Sequence, residues 1–177
     1  EAAGGKPCEN VCIINCTLRT RCNAIRIGVG DGVIRNAVFS NIVIHDSHVG
    51  VALTGNYVPR HSGTEIHDVT FSNMVFDGGA PFAIAGGLNG KPIRRIRFSQ
   101  ILARATGASF ICGDGRAPIE DIVFKDVDYL VHGGADNSLD AATPLEKWRG
   151  NGRVFHHGAE GMPCGMLLEN ANDIRFK

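Results

Sequence analysis

The stretch "IRNAVFSNIVI" (residues 34–44) decides the fold, because it does not occur once. Close variants return as "IHDVTFSNMVF" (66–76), "IRRIRFSQILA" (93–103) and "IEDIVFKDVDY" (119–129). With the Phe of each phrase as register mark, Phe39, Phe71, Phe98 and Phe124 are separated by 32, 27 and 26 residues. Upstream, "CENVCIINCTL" fits with Ile13 in the Phe slot, 26 residues before Phe39. Downstream, "ANDIRFK" fits with Phe176, 52 residues after Phe124, or twice 26. Self-similarity at such a period is the mark of a repeat architecture.

Each phrase alternates, as Ala37, Phe39 and Ile42 do against Asn36, Val38 and Ser40, which predicts strands. Helical spacing is not sustained anywhere in residues 1 to 130. Between the phrases lie shorter apolar strands, "AIRIG" (24–28), "GVALTG" (50–55), "PFAIAGG" (81–87) and "SFICG" (109–113), most closing on a turn-forming Gly. Two or three short strands per period cannot bury their inner face alone, so successive periods must stack. The expected fold is all-β: a right-handed parallel β-helix of about six rungs of roughly 26 residues, forming one domain over 1–177. Two residues after each Phe stands a polar side chain: Asn41 and Asn73, then Gln100 and Asp126, with Asn15 in the matching place. Such a column predicts a hydrogen-bonded ladder at one turn of every coil. Two segments depart from the period. "NYVPRHSGT" (56–64) is an inserted loop, and 132–161 is an irregular, loop-rich insertion long enough for a degenerate rung.

Composition narrows the partners. Lys plus Arg and Asp plus Glu are 18 each, so the formal net charge is zero and nothing marks a nucleic-acid partner. Gly numbers 23 and aromatics are 7%, as suits many tight turns between short strands. No apolar run is long enough to span a membrane as a helix, and "EAAGGKPCEN" lacks the basic and apolar regions of a signal peptide. Cys8, Cys12, Cys16 and Cys22 crowd the start, with Cys112 and Cys164 later. Cys12 and Cys16 read as small core residues of a strand; disulfides and a metal site are the alternatives, and the thiols do not settle the compartment.

With these elements in place, "CENVCIINCTLRTRCNAIRIGVGDGVIRNAVFSNIVIHDSHVGVAL" resembles the C-terminal half of glycoside hydrolase family 28, the polygalacturonase-like pectinases. "GMPCGMLLENANDIRFK" resembles that family's late rungs. The resemblance covers residues 8–177 and implies a secreted or periplasmic enzyme that hydrolyses pectin-type galacturonans with inversion, using aspartates as acid and base and no cofactor. The family's Asn-Thr-Asp and Asp-Asp motifs would fall upstream of residue 1. Its Gly-His-Gly motif falls on Cys22, Asn23 and Ala24, so Asn23 replaces the histidine. Its Arg-Ile-Lys motif falls on Ala52, Leu53 and Thr54, so both carboxylate-gripping cations are replaced. Lys177 ends within a strand phrase, and both ends are expected to be cut from a longer protein.

Inverting hydrolysis needs two carboxyl groups roughly 6.5–9.5 Å apart. Asp31, Asp46, Asp68, Asp77, Asp114 and Asp121 stand on different turns, with no evident pair on the "AIRIG"-type strands, so the chain alone is expected to lack the acids. The candidate substrate-binding residues are Arg26, Ala52, Thr54, Asn56, Tyr57, Arg60, His61 and Arg116. Arg26 alternates with Ile25 and Ile27 and so points outward, where a guanidinium can hold a sugar carboxylate bidentately. Asn56, Tyr57, Arg60 and His61 share the inserted loop and suit a glycan rim. His45 with His48, and His156 with His157, read as surface histidines. "GVGDG" (28–32) reads as a tight turn, so no metal is expected. The alternative function is a non-catalytic, glycan-binding or structural β-helix of adhesin or tailspike type, and the exposed terminal rungs offer β-edges for pairing with another chain.

Overall fold

The computed structural model describes residues 6–55, 63–86, 91–113, 115–132, 159–160 and 165–177. The described residues hold ten strands: β1 (Cys8–Arg19), β2 (Asn23–Ile27), β3 (Gly32–Thr54), β4 (Thr64–Gly86), β5 (Ile93–Ala105), β6 (Gly107–Gly113), β7 (Ile119–Val131), β8 (Ala159–Glu160), β9 (Met166–Glu169) and β10 (Asn172–Phe176). One track of parallel pairs runs β1–β3–β4–β5–β7–β10. A second runs β2–β3–β4–β6–β9, also parallel. The chain coils through both tracks once per period, which is a parallel β-helix as expected. In β3 and β4 the repeated phrase and the short strand that follows are continuous, so each makes nearly a whole coil.

The register mark is a physical column. Phe39, Phe71, Phe98 and Phe124 stack in sequence with ring centroids 4.9 Å apart and planes within 17° of parallel. That separation is the spacing of neighbouring strands, so each ring sits on the ring one coil below. Ile columns flank it, among them Ile34, Ile66, Ile93 and Ile119 on one side and Ile42, Met74 and Ile101 on the other. Together they form one continuous buried core.

Phe176 stacks directly on Phe124 at 5.2 Å, and β10 pairs with β7. The 52-residue interval is therefore one coil and not two. Because β10 pairs directly with β7 and β9 directly with β6, the expected degenerate rung adds no layer to either track among the described residues. Apart from β8, which pairs antiparallel with β6, residues 133–164 lie outside the described set.

Two fixed corners bend every coil. The expected polar column is the second: Asn15, Asn41, Asn73, Gln100 and Asp126 all take φ between 52° and 58°. Asn41 Nδ2 donates to Asn15 Oδ1 at 3.1 Å, and Asn73 Nδ2 donates in turn to Asn41 Oδ1. The first corner lies three residues before each Phe: Asn10, Asn36, Asp68, Arg95, Asp121 and Asp173, with φ between 51° and 59°. Asn and Asp tolerate this left-handed region better than other non-glycine residues, because their short side chains bond locally. A left-handed residue also interrupts the alternation. Cys12 accordingly faces outward beside Val38 and is exposed, while Cys16, beyond the Asn15 corner, packs against the core. The expectation that both cysteines are core residues is thus corrected for Cys12. "GVGDG" is a tight turn as expected: Gly28 has φ 99°, and a Cβ there would lie 2.2 Å from the Thr54 carbonyl oxygen.

Two stability measurements follow. Asn41→Ala places a residue with no side-chain bond in a left-handed corner and breaks the ladder on both sides; the expected loss is about 2 kcal/mol by urea unfolding. Asn41→Gly, which tolerates the backbone, is expected to lose about half as much. Phe98, fully buried in mid-column, is expected to cost about 3–5 kcal/mol when truncated to Ala. Phe176→Ala, on a ring that is 59% exposed, is expected to cost less than about half of that.

Candidate functional site

The strands on which the sequence places a substrate groove form the second track. Their outward column is Arg26, Ala52, Ala83, Phe110 and Leu167, in that order along the axis. Arg26 is exposed, as expected of an outward cation. Ala52 and Thr54, expected to face substrate, are enclosed, at 0% and 1% exposed. The segment Val49–Thr54 is buried on both faces, Val51 and Leu53 in the main core and Val49 and Ala52 in a second cluster with Ala83 and Phe110. Ala52 is in register with the exposed Arg26, but at Ala52 that outer face is covered. Thr54 Oγ1 is enclosed without a hydrogen-bond partner among the described residues, and so is Asn23 Nδ2. Asn23 is half-buried opposite Val49. Arg116 is exposed in the turn before β7. Asn56, Tyr57, Arg60 and His61 lie outside the described residues, as do His156 and His157. His45 has its Nδ1 3.3 Å from Asp46 Oδ2.

The densest chemistry lies elsewhere, around the first corner. In register on the outward side of the first track stand Glu9, Arg35, His67, Arg94 and Glu120, and next to them the left-handed column itself. Arg35 Nε donates to Glu9 Oε2 at 2.7 Å, and Arg94 Nη2 to Glu65 Oε1 at 2.8 Å. Arg95 grips Asp68 with two bonds, Nε to Oδ1 at 2.6 Å and Nη2 to Oδ2 at 2.8 Å. His67, largely buried, has Nδ1 2.6 Å from Asp68 Oδ2 and Nε2 3.8 Å from Glu65 Oε1. The same Nδ1 lies 3.1 Å from Arg95 Nη2, so imidazole and guanidinium converge on the Asp68 carboxylate. Arg97 grips Asp121 at 2.8 and 3.0 Å and also donates to its carbonyl at 2.7 Å; Arg175 binds the same carboxylate from the coil above.

These pairs state what the corner can do. Asp68 and Asp121 share one column with Arg95 between them, two strand spacings apart, or roughly 9–10 Å between Cα atoms. They lie on different coils of the first track and not on the "AIRIG"-type strands. Neither can hold a proton for a leaving group. Arg95, hydrogen-bonded to Asp68, holds that carboxyl well below the usual range with help from His67. Arg97 and then Arg175 hold Asp121 down likewise, against the upward push of burial. Both stay ionised, which suits cross-coil ties and not general acid catalysis. Sequence reasoning passed over this corner, although Asn36, Asp68, Asp121 and Asp173 repeat three residues before each Phe; Arg95 in the series hides the rule.

Among known proteins the chain finds no matching family model, no matching curated protein and no matching solved structure. The fold itself therefore defines the class: a parallel β-helix with charged, cross-tied corners.

Depressed carboxyl values in the folded state mean that these ties stabilise the protein above the unfolded aspartate value, near pH 4, and are lost as pH falls through the folded values. Urea unfolding is expected to show a steeper loss of stability below about pH 4 in the native chain than in Asp121→Asn. At neutral pH the Asn variant is expected to be less stable by about 1 kcal/mol.

Proposed function

We propose that this chain is part of a polygalacturonase-like glycoside hydrolase acting on pectin-type glycans, supplying the coil and a glycan-contacting surface while the catalytic aspartates lie outside its described residues. The observation that carries the reading is the parallel β-helix, on which Arg26 stands exposed in the outward column of the groove track. Solenoids present long, regular surfaces suited to polymeric ligands, and an exposed guanidinium suits a uronate carboxylate. On this reading the protein works outside the cytoplasm, secreted or periplasmic, and needs no cofactor.

The second reading is a non-catalytic, glycan-binding or structural β-helix. It is favoured by the burial of Ala52 and Thr54 and by the arginine-held state of Asp68 and Asp121. One pair of measurements separates the two. Affinity electrophoresis in polygalacturonate is expected to retard the chain, with Arg26→Ala weakening binding about 5- to 10-fold, the share of one charged contact. A reducing-end assay is expected to show no hydrolysis by the 177 residues alone and hydrolysis once an upstream aspartate-bearing segment is restored. Hydrolysis by the chain alone would overturn the placement of the acids. Absence of retardation would remove the glycan reading.

A further inference from the structure

We propose that Asn15 is an N-glycosylation site, modified at Nδ2 when the chain passes through a secretory route that carries the transferase. The inference rests on the secreted placement given above and on nothing else in that reading. Asn15-Cys16-Thr17 is the one Asn-x-Ser/Thr triplet in the 177 residues, the acceptor pattern for this transfer. Against the repeat the triplet stands out. In register with Thr17 the other coils carry Val43, Val75, Leu102 and Asp128. Only β1 sets a hydroxyl two residues after the Asn corner.

The fold presents both residues. Asn15 and Thr17 are exposed, while Cys16 between them packs against the core. This exposure is a property of the corner and not of where β1 stands in the stack. Asn41, Asn73 and Gln100 each have a coil on either side and are exposed as well, and so are Val43, Val75 and Leu102. The ladder also tolerates the change. A carboxamide nitrogen carries two hydrogens, and a step of the ladder uses one of them, as where Asn41 Nδ2 donates to Asn15 Oδ1 at 3.1 Å. In the transfer, Asn15 Nδ2 attacks the anomeric carbon of a polyprenyl-diphosphate-linked oligosaccharide. A C–N bond forms, the C–O bond to the diphosphate breaks with its electron pair going to the leaving group, and one amide proton is released. Oδ1 and the second N–H remain, so Asn15 still accepts from Asn41 and still has a hydrogen to give.

A glycan at this corner has a second effect. Val43, Val75 and Leu102 form an apolar ridge, 43%, 44% and 46% exposed. The ridge begins one strand spacing, about 4.8 Å, from Thr17. A bulky, hydrated oligosaccharide rooted at Asn15 overhangs it and keeps it solvated.

The test is expression of the chain behind a cleavable secretion signal in a host that N-glycosylates exported proteins. The native chain recovered from the medium is expected to run as a heavier species on a denaturing gel. It is expected to fall to the polypeptide mass of 18.9 kDa after an amidase that releases N-linked glycans. Asn15→Gln and Thr17→Val are expected to abolish the shift, and Thr17→Ser to keep it. Thr17→Val puts at an exposed position the residue that β3 and β4 carry there, so its loss of the glycan reports recognition and not folding. Native chain in the medium without the shift, or a shift that survives in Asn15→Gln, would overturn the proposal. The added signal supplies export, so an unmodified secreted chain counts against Asn15 and leaves the placement of the natural protein untouched.

Discussion

Everything in this molecule depends on two left-handed corners recurring at fixed places in each coil. Backbone with φ near +55° costs an ordinary residue about 1–2 kcal/mol, and among the described residues eleven adopt it at these two corners. The strain is tolerable because most of them are Asn or Asp and because each corner lies on another. At the Phe+2 corner the side-chain amides bond along the axis. At the Phe−3 corner arginines from neighbouring coils tie down the carboxylates. Between the corners run four residues, of which two point inward, as Val69 and Phe71 or Ile96 and Phe98 do, and so the Phe column and its aliphatic neighbour arise.

Arg95 shows how the two devices interact. It occupies a left-handed position that favours Asn or Asp, yet its guanidinium holds Asp68, the corner residue of the coil below, with two bonds. A cation among the anions of the column also separates Asp68 from Asp121, whose charges would otherwise face each other across the gap. The ionised state of both aspartates, the stability of the corner and its unsuitability for acid catalysis are consequences of the same contacts. On the second track, likewise, the small residues Ala52 and Ala83 belong to a covered apolar face.

The repeat was legible because its cause is periodic. Phe39, Phe71, Phe98 and Phe124 could be counted, and counting placed the strands, the aromatic column and the Asn ladder correctly. The Phe−3 corner followed the same period but was obscured by Arg95, a side chain whose presence is explained by a partner 27 residues away. Cys12 was assigned inward because alternation was extended through Asn15, where a left-handed residue resets it. The interval from Phe124 to Phe176 was divisible by 26, and arithmetic alone cannot distinguish an extra coil from an insertion.

The sequence by itself determined the coil: its period, its inward column and one of its corners, since these depend on residue type at fixed spacing. Only the tertiary structure decided which carboxylates are held by arginines, that Phe176 lies directly on Phe124, and that Ala52 and Thr54 are enclosed. Those outcomes depend on what lies one coil away or on top of a face. A one-dimensional pattern records which way a side chain points, but not what it meets.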